Sequence, residues 1–378
     1  MNPKVIARRV RAIRRELDKK KISFLLVTKP ANVTYITGFL GADSWAAVAK
    51  GRVYLLTDSR YTEQAQKECP SCKIIDRAGP MSGAVAKLVK KLKSVRTVDV
   101  EGSVSVADFE QLKKTVKAVG CATHTILVEG VPPSNRGQDA RDTMGIIEAV
   151  RSVKDESEIA TIISAAAIST KALEQTLPYI KPGVTESELA GMLDFQIRKL
   201  GATNSFETIV AFGPNGSRPH HQPGTRKLRK KDAVLIDFGA KYKGYCSDIT
   251  RCFVIGGMTA FYKKVYEVVE QAQAAAIKTI RPGVKITQVD AAAREVIDKS
   301  GLPVYGHGTG HGFGLEIHES PFLKPDGRGK LKAGQVITIE PGIYIPGKLG
   351  VRIEDDILVT ETGYKILTSH CPHSPLLP

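Results

Sequence analysis

The second half of the chain repeats one pattern of residues, and this repeat constrains the fold more than any other feature of the sequence. Lys181-Pro182-Gly183-Val184 is echoed one hundred residues later by Arg281-Pro282-Gly283-Val284, and a helical stretch follows each copy. Both copies continue with a segment that contains glycine and histidine, and then with an apolar run that ends at an acidic residue. Two copies are too few for a stacked solenoid. The repeat therefore predicts two similar units of helices and strands, related by a pseudo-twofold axis, that meet at a shared cleft.

The glycine-rich segment of the second copy, Gly306 to Glu319, holds three of the eight histidines: His307, His311 and His318. Alternating glycines are poor in helices and in packed strands, so they predict backbone that bends sharply or lets another group approach closely. Imidazole titrates near neutral pH, and its neutral nitrogen binds divalent ions. A turn with solvated histidines is the alternative. Three histidines at spacings of four and seven favour a functional site, although not the helical zinc-protease motif.

At 378 residues the chain is long enough for two domains. Its apolar content of 42% and charged content of 25% are typical of a globular protein. No run of residues resembles a membrane span, and residues 1–15 lack the apolar core of a secretion signal. A cytoplasmic location is therefore expected.

The formal net charge is +16. Such a charge can indicate a protein that binds nucleic acid, a membrane surface or an acidic partner. The basic residues, however, are spread over separate segments, and in Lys87 to Lys93 they alternate with apolar residues at helical spacing. They are not interleaved with aromatic residues that could stack on bases. Solvated helix faces are favoured, and neither nucleic acid nor membrane is expected as a partner.

The six cysteines predict free thiols. Cys69 and Cys72 form a CxxC sequence around Pro70-Ser71, which predicts a turn, but no second pair stands at the spacing of a zinc site. Cys246 and Cys252 are interpreted as packing residues of strands.

Strand and helix patterns alternate through the first 125 residues. A charged amphipathic helix is predicted for residues 1–20, followed by a buried strand from Ile22 to Val27 and by further strands and helices. The pattern predicts an α/β domain, residues 1–135, with a mixed or parallel sheet and flanking helices. The polar stretch between about residues 130 and 145 predicts the boundary. A long helix, Ile146 to Leu177, is then expected to open a second domain, residues 146–378.

Each copy of the repeat carries two acidic residues: one directly follows an apolar run that predicts a strand, and the other comes later in the sequence. Residues 233–236 run into Asp237, with Asp248 eleven residues later, and residues 336–339 run into Glu340, with Glu354 after a turn. A buried carboxylate costs several kcal/mol unless it is paired or coordinated. Arg352 could pair with Glu354, but four acids and a histidine favour a metal site. This oxygen-rich set suits two manganese, cobalt or iron ions better than one structural zinc, and paired ions can activate water for hydrolysis.

The same residues lie in segments that resemble the pita-bread metallopeptidases, specifically the aminopeptidase P and prolidase branch. The matching segments are Val234 to Gly239, Ser247 to Arg251, His307 to His318, Thr338 to Tyr344 and Val351 to Asp355. Asn32 to Phe39 and Leu56 to Ala65 resemble the creatinase-like N-terminal domain of that branch, and Val150 to Ile159 resembles the start of its catalytic domain. The resemblance implies an α+β pita-bread C-terminal domain with an internal pseudo-twofold repeat.

The resemblance also implies roles for individual residues. The metal ligands that it implies are Asp237, Asp248, His311, Glu340 and Glu354. It implies that Glu340 is the general base, that His220 and His318 contact the scissile carbonyl or shuttle a proton, and that His307, Arg352 and Tyr344 line the substrate pocket. His220 is preferred to the adjacent His221 because the corresponding histidine of the family follows proline or leucine. Two divalent ions are implied, with manganese favoured and cobalt, zinc or iron as alternatives.

The function expected from this resemblance is an Xaa-Pro aminopeptidase that removes the N-terminal residue before proline. An Xaa-Pro dipeptidase (prolidase) is the alternative, and a homodimer acting on peptides with proline at the second position is implied in either case. Methionine aminopeptidase is disfavoured by the large N-terminal domain. Metal-free amidinohydrolases and binding scaffolds share the fold, but they have lost ligand carboxylates that are all present here.

Overall fold

The computed structural model describes residues 2–125 and 145–377. The chain divides into two compact units, Met1–Arg151 and Ser152–Pro378. Most of the polar stretch predicted as the domain boundary lies outside the described residues, so the domain limits at 135 and 146 stay predictions. Within the described residues no helix is both long enough and apolar enough to cross a membrane.

The first unit contains a mixed sheet with helices around it. Its helices are α1 (Pro3–Lys19), α2 (Pro30–Thr37), α3 (Thr62–Glu68), α4 (Met81–Lys91), α5 (Val106–Lys117) and α6 (Ile146–Arg151). Its strands are β1 (Phe24–Val27), β2 (Trp45–Ala49), β3 (Arg52–Thr57), β4 (Lys73–Asp76), β5 (Thr97–Val100) and β6 (Ala122–Thr125). The strand order is β4-β3-β2-β1-β5-β6. Strand β2 pairs antiparallel with both β1 and β3, whereas β4 pairs parallel with β3, β5 with β1 and β6 with β5. This pairing confirms the α/β prediction with a mixed sheet.

Helix α1 confirms the amphipathic pattern read in the first twenty residues. Its apolar residues Ile6, Val10, Ile13 and Leu17 are buried at 5% exposure or less. The Asn2 side chain caps the helix by accepting a hydrogen bond from the backbone of the first turn, as N-cap residues do. In α4 the apolar residues are likewise buried while the intervening lysines face solvent, so this basic segment is a solvated helix face.

The single long helix predicted from Ile146 to Leu177 is wrong, because the chain forms two helices there. Helix α6 ends at Arg151, and α7 begins at Glu156. Asp155 separates them as an N-cap: its side chain accepts from the backbone N–H of Ser157 and Glu158, and Glu158 accepts from the backbone N–H of Asp155. This capping box starts a new helix at Glu156.

The second unit is built from helices and several small sheets. Its helices are α7 (Glu156–Thr176), α8 (Glu186–Lys199), α9 (Ala260–Thr279) and α10 (Ile286–Lys299). Its strands are β7 (Thr203–Asn204), β8 (Ile209–Phe212), β9 (Ala233–Phe238), β10 (Ala240–Tyr242), β11 (Tyr245–Cys246), β12 (Ile249–Ile255), β13 (Gly310–Gly312), β14 (Glu319–Leu323), β15 (Val336–Ile339), β16 (Gly342–Ile345), β17 (Leu349–Arg352), β18 (Asp355–Val359), β19 (Tyr364–Ile366) and β20 (Leu376–Leu377). Two sheets carry the repeat, with orders β20-β12-β9-β8 and β14-β13-β15-β18-β19.

The internal repeat is confirmed by matching backbone hydrogen bonds. Gly183 N–H donates to Leu228 O at 2.9 Å, and Gly283 N–H donates to Leu331 O at the same distance. Each leucine returns a bond of 2.8 Å to the valine after the glycine. Both glycines have positive φ, 99° and 85°, which glycine adopts at little cost. In each half the turn therefore ties the start of a helix, α8 or α10, to the strand that leads to the acidic residue.

Candidate metal centre and active site

Two pairs of strands present the four carboxylates that the sequence singled out. Asp237 lies on β9 directly opposite Thr250 of β12, and Asp248 immediately precedes β12. Glu340 follows β15, and Glu354 lies between β17 and β18. The apolar residues of β9 and β15 are buried on both faces, which fixes these strands in the core and leaves the acids at their ends.

Three of the residues form a tight group. One ligand atom from each of Asp248, His311 and Glu354 lies within 4.8 Å of the other two. Glu340 joins this group through the histidine, since its Oε1 lies 3.5 Å from His311 Nε2. Asp237 instead accepts a hydrogen bond of 2.5 Å from Arg352 through Oδ2. The structure thus brings four of the five proposed ligands together directly and places the fifth in an ion pair on the same cavity wall.

The imidazole of His311 is oriented by its own strand. Its Nδ1 lies 3.1 Å from Gly312 O, so Nδ1–H donates and Nε2 carries the lone pair. Burial lowers the pKa of His311 to about 4, so the ring is neutral at neutral pH. Its Nε2 nevertheless faces Asp248 Oδ2 at 3.6 Å and Glu340 Oε1 at 3.5 Å. A lone pair that faces two carboxylate oxygens is stabilised when a cation lies between them.

Strand β13, which carries His311, is made possible by its glycines. A Cβ added to Gly310 would lie 2.0 Å from the backbone oxygen of Thr338 on β15, so only glycine allows this approach. The expectation of close backbone approach is therefore confirmed. The expectation that alternating glycines would not form a packed strand is wrong for Gly310–Gly312, because the missing side chains let β13 lie between β14 and β15.

The carboxylates strongly perturb one another. Burial raises the pKa of Asp248 well above its usual value, and the nearby Glu354 and Asp237 raise it further. Burial and the neighbouring Glu340 do the same to the pKa of Glu354. Burial also raises the pKa of Glu340 to about 7, against the opposing effect of Arg352. Without a cation among them, these carboxylates therefore resist being ionised together.

Arg352 connects the carboxylates to the aromatic side of the site. Besides the bond to Asp237, its Nε donates to Thr250 Oγ1 at 3.0 Å, and Thr250 in turn donates to Glu354 Oε2 at 2.6 Å. Its Nη1 donates to the hydroxyl of Tyr344 at 2.8 Å. That hydroxyl lies 3.0 Å from His307 Nε2, whose ring is oriented by a 2.7 Å contact between Nδ1 and Gly308 O. One buried guanidinium therefore orients both metal-site and pocket residues.

These residues fit a divalent cation site. Asp237 Oδ1 is buried and has no hydrogen-bond partner among the described residues. The His311 lone pair points into the carboxylate group, and Arg352 alone does not balance the four neighbouring carboxylates of the set. A set of carboxylates with one imidazole is the donor chemistry of manganese, iron or cobalt sites.

Two further histidines lie beside the carboxylates. His220 and His318 are exposed to the cavity, and both influence the pKa of Asp237, which burial raises and Arg352 lowers. The ring of His318 contacts that of His311 edge-on at 4.5 Å. His221 also lines the cavity, but it is buried and its Nε2 lies 2.8 Å from Glu186 Oε2. This placement supports the choice of His220 over His221 for a role in the cavity.

The cavity has a volume of about 670 Å³. The side chains of the carboxylates and of the three histidines of the glycine-rich segment line one side. Phe206, Ile317 and Phe322 supply apolar surface, and Lys324 lies near the opening, where half of its side chain is exposed. The carboxylates can hold cations, and the apolar surface can bind an apolar part of a small ligand. The imidazoles lie where they can contact a ligand that is bound next to the carboxylates.

Sequence reasoning missed several residues that hold the site in place. Thr250 links Arg352 to Glu354, as described above, and Asp356 accepts bonds of 3.3 Å from the backbone N–H of Asp248. Asp290 on α10 accepts from the hydroxyl of Thr309 at 2.7 Å and so anchors the glycine-rich segment. Each of them acts through a partner that is distant in sequence, and spacing along the chain gave no signal for it.

Family models match both units of this chain. The model of metallopeptidase family M24 matches residues 160–361, and the model of the creatinase/prolidase N-terminal domain matches residues 9–131. The chain belongs to metallopeptidase family M24. The fold is accordingly a creatinase-like N-terminal domain with a pita-bread C-terminal domain, as the resemblance in the sequence implied.

Solved structures resemble this M24 peptidase over nearly its whole length. The Xaa-Pro dipeptidase from Bacillus anthracis has a TM-score of 0.89 and 34% identity, covering 98% of this chain and 100% of its own. The X-Pro aminopeptidase from Thermotoga maritima has a TM-score of 0.84 and 34% identity, with 96% and 100% covered. The prolidase from Pyrococcus horikoshii has a TM-score of 0.85 and 31% identity, with 97% and 99% covered.

The protein is therefore a metal-dependent hydrolase of the Xaa-Pro peptidase type. Its family implies divalent metal ions, and the group formed by Asp248, His311 and Glu354 is consistent with such a site.

Proposed function

We propose that this peptidase is an Xaa-Pro dipeptidase, which hydrolyses the bond before a C-terminal proline. The sequence had favoured an Xaa-Pro aminopeptidase, with the dipeptidase as the alternative. Two of the three similar structures described above are a dipeptidase and a prolidase, which supports that alternative. The aminopeptidase remains the second candidate, because the Thermotoga maritima enzyme is as similar in sequence.

The observation that carries the choice is Lys324 on the cavity wall. Strand β14 pairs with β13 so that Phe322 lies opposite His311. Lys324 directly follows the last residue of β14 and lines the same cavity as Phe322. Among the described lining residues, the permanently positive side chains are Lys324 and Arg352, and Arg352 is committed to Asp237. Among the described residues, Lys324 forms an ion pair with the exposed Asp326, at 3.4 Å.

A cation at this position suits a substrate that ends directly after proline. In a dipeptide, the C-terminal carboxylate is separated from the scissile nitrogen by one carbon atom, so it must lie close to the catalytic groups. Phe322 offers an apolar surface to the proline ring, and Lys324 offers a positive charge to the carboxylate beyond it. A longer peptide would place a neutral peptide group at that point and would continue past the lysine.

The chain's own residues can perform the hydrolysis. Asp237, Asp248, His311, Glu340 and Glu354 would hold the divalent ions, which when bound polarise the scissile carbonyl and lower the pKa of water. Glu340 would accept the proton of the attacking water and return it to the proline nitrogen, which carries no hydrogen in the Xaa-Pro bond. His220 and His318 would donate hydrogen bonds to the carbonyl oxygen as it becomes negative. Arg352 would keep Asp237 and Tyr344 in place.

The proposed cofactor is a pair of divalent ions, with manganese favoured over cobalt, zinc or iron because four of the five ligands are carboxylates. A homodimer and a cytoplasmic location are parts of the same proposal. Metal analysis of the purified protein tests the pair of ions. Light scattering, which measures the size of the protein in solution, tests the homodimer.

The decisive experiment compares three substrates with manganese-loaded protein: an Xaa-Pro dipeptide, the same dipeptide as its amide, and an Xaa-Pro-Xaa tripeptide. Preferential hydrolysis of the free dipeptide is expected, with loss of activity in Glu340→Gln at unchanged metal content. A tripeptide cleaved faster than the dipeptide would instead identify an aminopeptidase. If Glu340→Gln kept full activity, the assigned base would be wrong.

A further inference from the structure

Two cysteines lie together in the first unit, in the turn between α3 and β4. Cys69 ends α3, where its backbone N–H donates to Ala65 O at 2.9 Å. The chain then turns through Pro70 and Ser71, and the backbone N–H of Cys72 donates to Cys69 O at 3.0 Å. This bond defines a four-residue β-turn, which brings its first and last Cα atoms within about 7 Å of each other. Disulfides span Cα separations of about 4.4–6.8 Å, so the backbone is already in a suitable range.

The side chains of the two cysteines are in contact. Their thiols share a hydrogen bond, which lowers the pKa of Cys69 and raises that of Cys72. Such a pair loses its first proton more easily than an isolated thiol, because the remaining thiol stabilises the thiolate. The thiolate is the species that attacks a disulfide, and the shared hydrogen bond favours it on Cys69. A small disulfide from solvent must, however, reach the sulfur that attacks it, so exposure decides between the two cysteines.

The surroundings differ for the two sulfur atoms. Cys69 is only 1% exposed, whereas Cys72 is partly exposed. The remaining cysteines, Cys121, Cys246, Cys252 and Cys371, are all buried. Burial raises the pKa of the last three to about 11. Only the turn between α3 and β4 therefore combines, among the described residues, a sulfur pair with access from solvent.

We propose that Cys69 and Cys72 form a thiol–disulfide exchange site that is oxidised by a small disulfide such as glutathione disulfide, with Cys72 as the attacking and Cys69 as the resolving residue. Neither the peptidase family nor the metal centre requires this chemistry. The site lies in the first unit and its oxidation does not depend on the proposed substrate.

The reaction proceeds in two exchanges. Cys72 Sγ attacks one sulfur of glutathione disulfide, the sulfur–sulfur bond of the reagent breaks, and one glutathione leaves with the proton of the Cys72 thiol. Cys69 Sγ then attacks Cys72 Sγ, which forms the Cys69–Cys72 bond and releases the second glutathione with the proton of Cys69. Two protein thiols are oxidised to one disulfide, and one glutathione disulfide is reduced to two thiols.

The first test uses the unmodified full-length protein in buffers with increasing ratios of oxidised to reduced glutathione. The reaction is stopped with acid, free thiols are alkylated, and peptides are mapped by mass spectrometry. A peptide with a disulfide between Cys69 and Cys72 is expected to accumulate with a single midpoint, while the four buried cysteines become alkylated once the chain is unfolded. Free Cys69 and Cys72 at the most oxidising ratio, or a disulfide to any other cysteine, would overturn the proposal.

Two variants test the order of attack, with Cys121→Ser as the matched control for loss of a buried thiol in the same unit. In Cys69→Ser no resolving thiol is present, so a mixed disulfide of Cys72 with glutathione is expected to persist. In Cys72→Ser the buried Cys69 is expected to stay unmodified. Glutathione on Cys69 in Cys72→Ser together with an unmodified Cys72 in Cys69→Ser would refute the assignment. The control is expected to form the Cys69–Cys72 bond like the unmodified protein.

Discussion

Thr250 is a sensitive test of how the metal centre is organised, because its hydroxyl links Arg352 to Glu354 by hydrogen bonds. It accepts from Arg352 Nε at 3.0 Å and donates to Glu354 Oε2 at 2.6 Å, and both Thr250 and Glu354 are at most 2% exposed. Thr250→Val replaces the hydroxyl with a methyl group of similar size and keeps a β-branched residue in strand β12. The substitution should therefore leave the backbone in place while it removes both hydrogen bonds.

The size of the effect follows from the bond that is lost. A hydrogen bond to a charged group contributes about 1.5–3 kcal/mol. At about 1.4 kcal/mol per factor of ten, metal affinity should fall roughly 10- to 100-fold, in line with other residues that orient metal ligands. The Thr250 bond also lowers the pKa of Glu354, so its loss should make protons compete more strongly with metal. The deficit should therefore grow as the pH falls.

Manganese affinity can be measured by competition with a fluorescent chelator at several pH values. Thr250→Ser is the matched control, since it keeps the hydroxyl and should bind metal within about twofold of the unmodified protein. Circular dichroism of the metal-free variants checks that both fold. Equal metal affinity in the valine and serine variants would show that the hydroxyl does not orient Glu354, and the reasoning from the hydrogen-bond chain would then be wrong.

Three other measurements test the remaining parts of the site. Lys324→Met should raise KM for an Xaa-Pro dipeptide about tenfold and leave hydrolysis of its amide unchanged, by steady-state kinetics; equal effects on both substrates would exclude a carboxylate contact. Because burial raises the pKa of Glu340 to about 7, the metal-free protein should gain more stability than its Glu340→Gln variant as the pH falls from about 7 to about 5, by up to about 1.4 kcal/mol per pH unit; equal changes of Tm in calorimetry for the two proteins would contradict it. Gly310→Ala should lower the free energy of unfolding in urea by more than about 2 kcal/mol, because its Cβ would meet a backbone oxygen of β15 at 2.0 Å, whereas Gly363→Ala, in open space, should change it little.

The sign of the pH effect depends on whether metal is bound. A carboxyl whose pKa is raised on folding contributes stability below its folded pKa, and this contribution is lost as the pH rises through that value. Without metal, Glu340, with a folded pKa of about 7, adds to the gain on acidification. With metal bound, the same protons must displace the ion, so acidification should destabilise the loaded protein. Parallel curves for the two forms would argue against a shared site.

Much of the fold could be predicted because the signals were local. The amphipathic period of α1, the apolar runs of β9 and β15 and the two Pro-Gly turns each depend on residues a few positions apart. Helix α2 and strand β2 were missed. Helix α2 is short, begins at a proline and has little amphipathic character. Strand β2 (Trp45–Ala49) is buried on both faces. Neither therefore shows a periodic alternation of apolar and polar residues in the sequence.

The site was predictable to a different extent. Carboxylates at the ends of apolar strands and histidines among glycines predicted where the charged group would lie, and the structure places these residues on one cavity. The residues that orient them gave no signal. Thr250 and Glu354 are 104 positions apart, and a hydrogen bond of that span depends on the packing of both sheets rather than on any pattern along the chain.

The two halves of the repeat use different residues to anchor the loop that carries a cavity histidine. In the second half, Asp290 and Arg294, one turn apart on α10, hold the glycine-rich segment: the aspartate binds Thr309, and the arginine donates to the backbone oxygens of Tyr305 and His307 at 2.8 and 2.6 Å. Such bonds hold the segment in one backbone conformation, whereas its glycines would otherwise allow many conformations.

In the first half, Glu186 at the start of α8 performs the corresponding task. Its carboxylate accepts from the backbone N–H of Phe212 and Gly224 and contacts His221 at 2.8 Å, on both sides of the exposed His220. The acids occupy different positions in the two copies, so the repeat in sequence does not reveal them. In both copies, however, a buried acid on the helix holds the loop that carries a cavity histidine. The histidines are therefore positioned before substrate binds. The conformational entropy of their loops is lost during folding rather than in each catalytic cycle.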